Sequence, residues 1–268
     1  MRILGIETAT SWQSVALLDG NRILARQDQD ATGAHGTLLL PAIHRLLKDA
    51  QLRLSDLDGL ACSAGPGSFT GIRVGLATCL GLRAATGIPL MLIPTLEALA
   101  WDVNASGLPL CPIVTSRKGE VFWAVFRRTW DDQLHRMLSE CVGAPAGLAQ
   151  SLTEHTLVFG DGWSAMGAEI RAALPVSVTV TAGPPEVKPS AVAVAFLGAQ
   201  RFRRGEVAGD RVEPLYVQRA EAELQYAQSG GGSPVRRRQE RVTKKNADRL
   251  AREYQRRQSP DQPRKVHD

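Results

Sequence analysis

Two short stretches carry residue types from which a phosphate or metal site can be built. The first, Glu7-Thr8-Ala9-Thr10-Ser11, places a carboxylate and three hydroxyls at the end of an apolar run, where magnesium-bound nucleotide could sit. An acid in that position also serves simply to cap a turn. The second, Ser63 to Gly75, reads SAGPGSFTGIRVG: a strand ends, a Gly-Pro-Gly turn reverses the chain, and a helix begins near Thr70. Helix N-termini offer free N–H groups to anions, and Gly65 and Gly67 would let a phosphate approach closely. The same glycines suit a tight turn with close helix packing, and both readings stand at this point. The stretch lacks the Gly-Lys-Ser/Thr ending of a Walker loop and is not GxGxxG in register. His35 and His44 are nine apart, which does not put them on one helical face as a zinc-binding i, i+4 pair requires, so no metal site is expected. No Ser-His-Asp or Cys-His set can be assigned by spacing, and there is no G-x-S-x-G.

The elements that must position these residues follow from periodicity. Arg2 to Ile6, Ser14 to Leu18 and Asn21 to Arg26 read as a meander, with Asp19-Gly20 as a hairpin turn. Leu39, Ile43, Leu46, Leu47 and Ala50 form one apolar stripe of a helix over His35 to Ala50, its first turn bent or delayed by Pro41. A strand Gly59 to Ser63, a helix Thr70 to Ala85 and a strand Pro89 to Ile93 complete a βββαβαβ unit. The order then recurs. Strands over Leu110 to Thr115, Glu120 to Arg128 and Gln133 to Ser139 precede a helix Ala146 to Leu152, a strand Thr156 to Gly160 and a helix Trp163 to Leu174. Val176 to Thr181 and a helix Ser190 to Arg204 close the second copy. Two copies of one topology imply a duplicated α/β fold with a cleft between domains 1–105 and 106–224.

From Val74 to Leu82 the second helix has no charged residue. A helix lying on its own sheet should show a polar outer face, so a second cover is expected, either the His35 helix or another subunit. On the second reading the interface comprises Leu39, Ile43, Leu46, Gly71, Gly75, Leu76, Thr78 and Cys79.

Composition sets bounds. A chain of 268 residues that is 44% hydrophobic can bury a sizeable core. Cys62, Cys79, Cys111 and Cys141 are scattered without a CxxC pair, which fits reduced packing thiols in a cytosol. Neither a signal peptide nor an apolar stretch long enough for a membrane span is apparent. The net charge of +5 is unevenly placed: residues 225–268 hold 12 Lys+Arg against 5 Asp+Glu, and residues 1–224 hold 20 against 22. The basicity belongs to the tail, where Ser229 to Pro234 reads as a flexible linker and a charged run follows.

The chain resembles the bacterial TsaB (YeaZ) family, in ILGIETATSWQSVALLD from Ile3 to Asp19, LLLPAIHRLL from Leu38 to Leu47, and SAGPGSFTGIRVGLA from Ser63 to Ala77. RKGEVFWAVF from Arg117, FGDGW from Phe159, PSAVAVAFL from Pro189 and EPLYVQRAEAE from Glu213 add to it. The resemblance implies two duplicated actin-like ATPase (ribonuclease H-like) domains. It also implies a non-catalytic subunit in the formation of threonylcarbamoyladenosine at position 37 of tRNAs that read codons beginning with A. The catalytic paralogue carries a His-x-x-x-His metal pair; four residues beyond His35 and His44 this chain has Leu39 and Lys48. The implied partners are a transferase (TsaD-type) subunit, met through the two first-domain helices, and a small ATPase (TsaE-type) subunit, with a homodimer also open. No cofactor follows firmly; ATP or ADP at the complex, near Glu7, Thr8, Thr10, Gly65 and Gly67, is left open. The alternative is an ATP-dependent phosphotransferase or ATPase of the same superfold. Thr115-Ser116-Arg117 stands where many relatives have Asp-Ala-Arg, so that acid's role does not carry over. The tail lies outside the family pattern and is either a contact to tRNA phosphates or a solubilising appendage.

Overall fold

The computed structural model describes residues 1–217 except 106, 118, 132, 185 and 186. The segment 218–268, and with it the linker, the charged run and the end of the EPLYVQRAEAE motif, lies outside the described residues. The first half runs β1 (Arg2–Glu7), β2 (Trp12–Asp19), β3 (Arg22–Asp30), α1 (His35–Asp49), β4 (Gly59–Gly65), α2 (Phe69–Thr86), β5 (Leu90–Pro94) and α3 (Thr95–Trp101). The second runs β6 (Pro109–Thr115), β7 (Val121–Arg128), β8 (Leu134–Gly143), α4 (Pro145–Ser151), β9 (Thr156–Phe159), α5 (Asp161–Ala173), β10 (Val180–Ala182) and α6 (Ala191–Arg203). Helix α1 runs through Pro41 unbroken. The hairpin after β7 and the strand β8 extend further than the periodicity predicts, while β10 is shorter.

The duplication is visible in the sheets. The first is ordered β3-β2-β1-β4-β5 and the second β8-β7-β6-β9-β10, each with an antiparallel meander followed by parallel strands. The central strands of each sheet are buried on both faces, which explains why strands such as β1 and β4 read as near-continuous apolar runs rather than alternating ones. In the first sheet, Leu4, Ile6, Val15, Leu17, Leu60, Cys62 and Leu90 face α1 and α2, while Ile3, Ala16, Leu18, Ala61, Met91 and Ile93 face α6.

The third helix of each half crosses to the other half's sheet. Helix α6 buries Ala191, Val192, Ala193, Val194, Ala195, Leu197 and Ala199 in the first core. Helix α3 puts Leu96, Leu99 and Ala100 against Leu110, Phe122, Phe126 and Phe159 of the second. Across the division expected at residue 105, the Ser190 helix thus packs on the first sheet, and α3 is a helix that the periodicity did not predict. The physical reason lies in side-chain size: a Cβ on Gly198 would sit 2.4 Å from the Ala61 Cβ, so α6 approaches the first sheet closely through small residues. At the crossing, Glu97 of α3 accepts from Arg201 of α6 and Arg136 of β8, each at 2.9 Å. Arg201 also donates to the Leu92 carbonyl. No helix among the described residues is long and apolar enough to cross a membrane.

Candidate functional site

The turn after β1 is sealed by the turn after β4. Glu7 and Thr8 are fully buried. Glu7 Oε1 accepts from the Ala9 N–H at 2.5 Å, and Oε2 has no hydrogen-bond partner among the described residues. Burial pushes the carboxyl up to about 7 against the opposing pull of the Ala9 N–H, Ser63 and Thr8. Thr8 donates its hydroxyl to the Gly71 carbonyl at 2.9 Å, and its N–H to Ser63 Oγ at 3.3 Å. The Ser68 N–H reaches the Ala9 carbonyl at 2.6 Å. Thr10 accepts from the Trp12 N–H and offers its carbonyl to His35 Nε2 at 2.8 Å, which places buried His35 as a clasp on this turn.

The glycines of SAGPGSFTGIRVG serve this closure. A Cβ on Gly67, whose φ is +154°, would sit 2.1 Å from the Ala9 carbonyl oxygen; one on Gly71 would sit 2.0 Å from that of Thr8. Gly65 abuts Ile72 and the Leu215 carbonyl. Glu7, Thr8, Gly65 and Gly67 thus lie together, and the close approach at these glycines is that of a second loop. A pocket opens elsewhere, beside β2, β3 and the start of α6. It encloses ≈ 450 Å³ and is lined by Trp12, Arg26, Asp102, Lys188, Ser190 and Val192, with Lys188 Nζ 3.6 Å above the Trp12 ring.

The expected interface residues also turn inward. Leu39, Ile43, Leu46, Leu76 and Cys79 belong to the core between sheet and helices. Gly71 and Gly75 are buried against Thr8, since a Gly75 Cβ would meet Thr8 Oγ1 at 2.3 Å. Only Thr78 is partly exposed. This corrects their assignment to a docking surface: the apolar stripe that is easiest to see in α1 and α2 fills the chain's own core.

A second uncharged stripe faces outward. Thr70, Ala77, Leu80, Gly81 and Ala84 of α2 are exposed and Val74 half-buried, spaced at helical period along one side. Leu80 is 36% exposed, and Leu40 on the neighbouring α1 is 54% exposed. The two arginines that could have made this side polar are drawn toward the strap, residues 206–217, which returns from α6 along α2. Arg83 donates to the Ala208 and Gly209 carbonyls at 3.1 and 2.8 Å. Arg73 lies 3.6 Å over the Phe69 ring and donates to the Tyr216 hydroxyl at 2.9 Å, with Tyr216 stacked on Phe69. Sequence reasoning missed Phe69, Arg73, Ala77, Leu80 and Tyr216. The spacing of Thr70, Ala77, Gly81 and Ala84 was available as a signal; the strap contacts, across about 140 positions, were not.

At the matching turn of the second half, Thr115 donates its N–H and hydroxyl to the Asp161 carboxylate at 3.1 and 2.7 Å. The residue standing in place of an acid thus pairs with one supplied by α5. Among the described residues no group of three His, Cys, Asp or Glu side chains is placed to hold a metal ion.

The repeated strand order, with helices on both faces of each sheet, defines a two-lobed α/β protein of the duplicated actin-like, ribonuclease H-like type. Residues 25–175 match the family model described as TsaD: tRNA N6-adenosine threonylcarbamoyltransferase. The tRNA threonylcarbamoyladenosine biosynthesis protein TsaB of Escherichia coli (strain K12) is 31% identical over 227 residues, covering 81% of this chain and 94% of that protein. Its namesake from Bacillus subtilis (strain 168) is 30% identical over 127 residues, 47% of this chain and 56% of that one. The solved YeaZ from Pseudomonas aeruginosa superposes with a TM-score of 0.68 at 25% identity, covering 80% of this chain and 99% of that chain. The chain belongs to the TsaB (YeaZ) family.

Proposed function

We propose that this chain serves tRNA threonylcarbamoyladenosine biosynthesis as a non-catalytic subunit, docking through the outward sides of α1 and α2 onto the transferase (TsaD-type) subunit that carries the chemistry. The observation that carries this reading is the uncharged stripe Thr70, Val74, Ala77, Leu80, Gly81 and Ala84, exposed while both neighbouring arginines are held by the strap. Small residues there let another helix approach closely, and an exposed apolar strip next to exposed Leu40 gains stability when covered. The small ATPase (TsaE-type) subunit would join the same assembly, and ATP or ADP would be held by those partners. The alternative, an ATPase acting alone, has less support, because Glu7 is fully buried and the glycine turn is occupied by Ala9 and Thr8.

The test is co-elution of the purified chain with the transferase subunit of the same cell. Ala77→Arg puts a charge into the centre of the stripe without touching the core and is expected to weaken the pair about a hundredfold. Ala168→Arg, on the exposed side of α5, is the control and should leave the pair intact. Equal co-elution of both variants at unchanged thermal stability would remove the docking assignment. Gly75→Arg is unsuitable for this purpose, since it collides with Thr8 inside the fold.

A further inference from the structure

We propose that the pocket beside β2, β3 and the start of α6 binds a free α-amino acid, with Lys188 receiving its carboxylate and Asp102 its ammonium. The pocket encloses ≈ 450 Å³, within the range of about 300 to about 1,000 Å³ typical of small-molecule sites. Its lining holds charges of both signs that the fold leaves unmatched. Lys188 is exposed and forms no ion pair among the described residues; its Nζ rests 3.6 Å above the Trp12 ring. Asp30 of β3 feels that charge, yet its carboxylate is occupied by the Thr32 N–H and hydroxyl at 2.9 and 2.7 Å. Asp102, just beyond α3, likewise has no ion pair among the described residues. Burial among its neighbours pushes its carboxyl up to about 6, against the opposing pull of the Ser190 hydroxyl and of Arg26. The third charged residue of the lining, Arg26, is already matched by Asp28, to which its Nε donates.

That pattern of charge selects the ligand. A phosphate would satisfy Lys188 but set a second anion against Asp102, and a simple amine would satisfy Asp102 but crowd a cation against Lys188 and Arg26. An apolar molecule would strip water from both charges without replacing it. A zwitterion, whose ammonium and carboxylate are held close together, answers both at once, and an α-amino acid is the simplest such molecule. Val192 and the Trp12 ring supply the apolar part of the lining, which suits an uncharged side chain. The other charged groups that face Asp102 are engaged elsewhere: Arg128 of β7 donates to the Ala100, Trp101 and Val103 carbonyls, and Asp28 accepts from Arg26. None of these residues belongs to the outward stripe of α1 and α2, so the site is independent of the docking assignment.

The experiment is thermal unfolding of the full chain with each standard amino acid in turn at about 10 mM, followed by calorimetric titration of the one that stabilises most. An amino acid held with a Kd of about 100 µM should raise the melting temperature by about 5 °C at that concentration. Lys188→Ala and Asp102→Asn, both at exposed side chains, should each weaken binding about tenfold or more without lowering the melting temperature of the unliganded chain. Affinity of the unaltered chain should fall about tenfold between about pH 7.5 and about pH 5, as Asp102 takes up a proton while the ligand's carboxylate stays ionised. Asp102→Asn should lose that pH dependence. Absence of a shift with every amino acid overturns the proposal, as does an equal shift with lactate, which lacks the amine, or with ethanolamine, which lacks the carboxylate. Tighter binding of inorganic phosphate than of any amino acid also overturns it, and so does affinity that both variants retain in full.

Discussion

The two lobes share a strand order but close the turn after their first strand differently. In the first, a buried carboxyl, Glu7, is walled in by a glycine turn that approaches its backbone to the limit of contact. In the second, the equivalent position is Thr115, hydrogen-bonded at the surface to Asp161 on the first turn of α5. Their helices differ in the same sense. Helix α5 carries Asp161, Glu169 and Arg171 on its exposed side, as a solvated helix does. Helix α2 exposes Ala77, Leu80, Gly81 and Ala84, with its arginines engaged by the strap. One architecture thus yields a lobe with an open polar side and a lobe with a sealed interior and an uncharged stripe on its exterior.

The sharpest way to break the comparison is at the sealed turn. Gly71→Val places a Cβ against the Thr8 carbonyl, a backbone atom fixed by its strand, and should cost about 3 kcal/mol, read as a melting temperature lower by about 10 °C. Accommodation with no change in melting would mean the two loops are not in close contact. A smaller effect of opposite sign is expected from Glu7→Gln. The folded-state carboxyl is raised from 4.5 to about 7, so its contribution to stability is full below pH 4.5 and is lost as pH rises through 7. The glutamine keeps the acceptor for the Ala9 N–H and should stabilise the chain by about 2 kcal/mol at pH 8, with no gain near pH 4.5, in urea titrations at both pH values. A gain independent of pH would rule out a buried titrating carboxyl. The smallest effect belongs to the second lobe: Asp161→Ala removes two exposed hydrogen bonds and should cost about 1 kcal/mol by the same titration. A loss matching that of Gly71→Val would erase the contrast between the turns.

Much of this was legible in the residues. The turn signals of the meanders and the 3.6-residue stripe of α1 are local properties, and the duplicated order follows from such local signals. Glu7, Thr8 and the Gly65–Gly67 turn lie side by side because they follow neighbouring parallel strands of the same sheet. What they do there was not legible, since a loop and a phosphate make the same demand for glycine. The interface residues were misplaced for a related reason: Leu39, Ile43, Leu76 and Cys79 are the strongest apolar signals in their helices, and the strongest signals go to the core. The outward stripe consists of small and weakly apolar residues, and it stays uncharged only because Tyr216 and the strap carbonyls hold Arg73 and Arg83. Contacts so distant in the chain leave no periodic trace.

The crossing of α3 and α6 bears on how the protein emerges from the ribosome. Every strand of the first sheet has been synthesised by Pro94, yet the face formed by Ile3, Ala16, Ala61 and Met91 stays bare until α6, ending at Arg203, has left the exit tunnel. At about 5–20 residues per second that is an interval of several seconds with an apolar surface uncovered. The amino-terminal half cannot mature ahead of the rest, and a nascent chain halted anywhere before Ala191 is a candidate for chaperone capture.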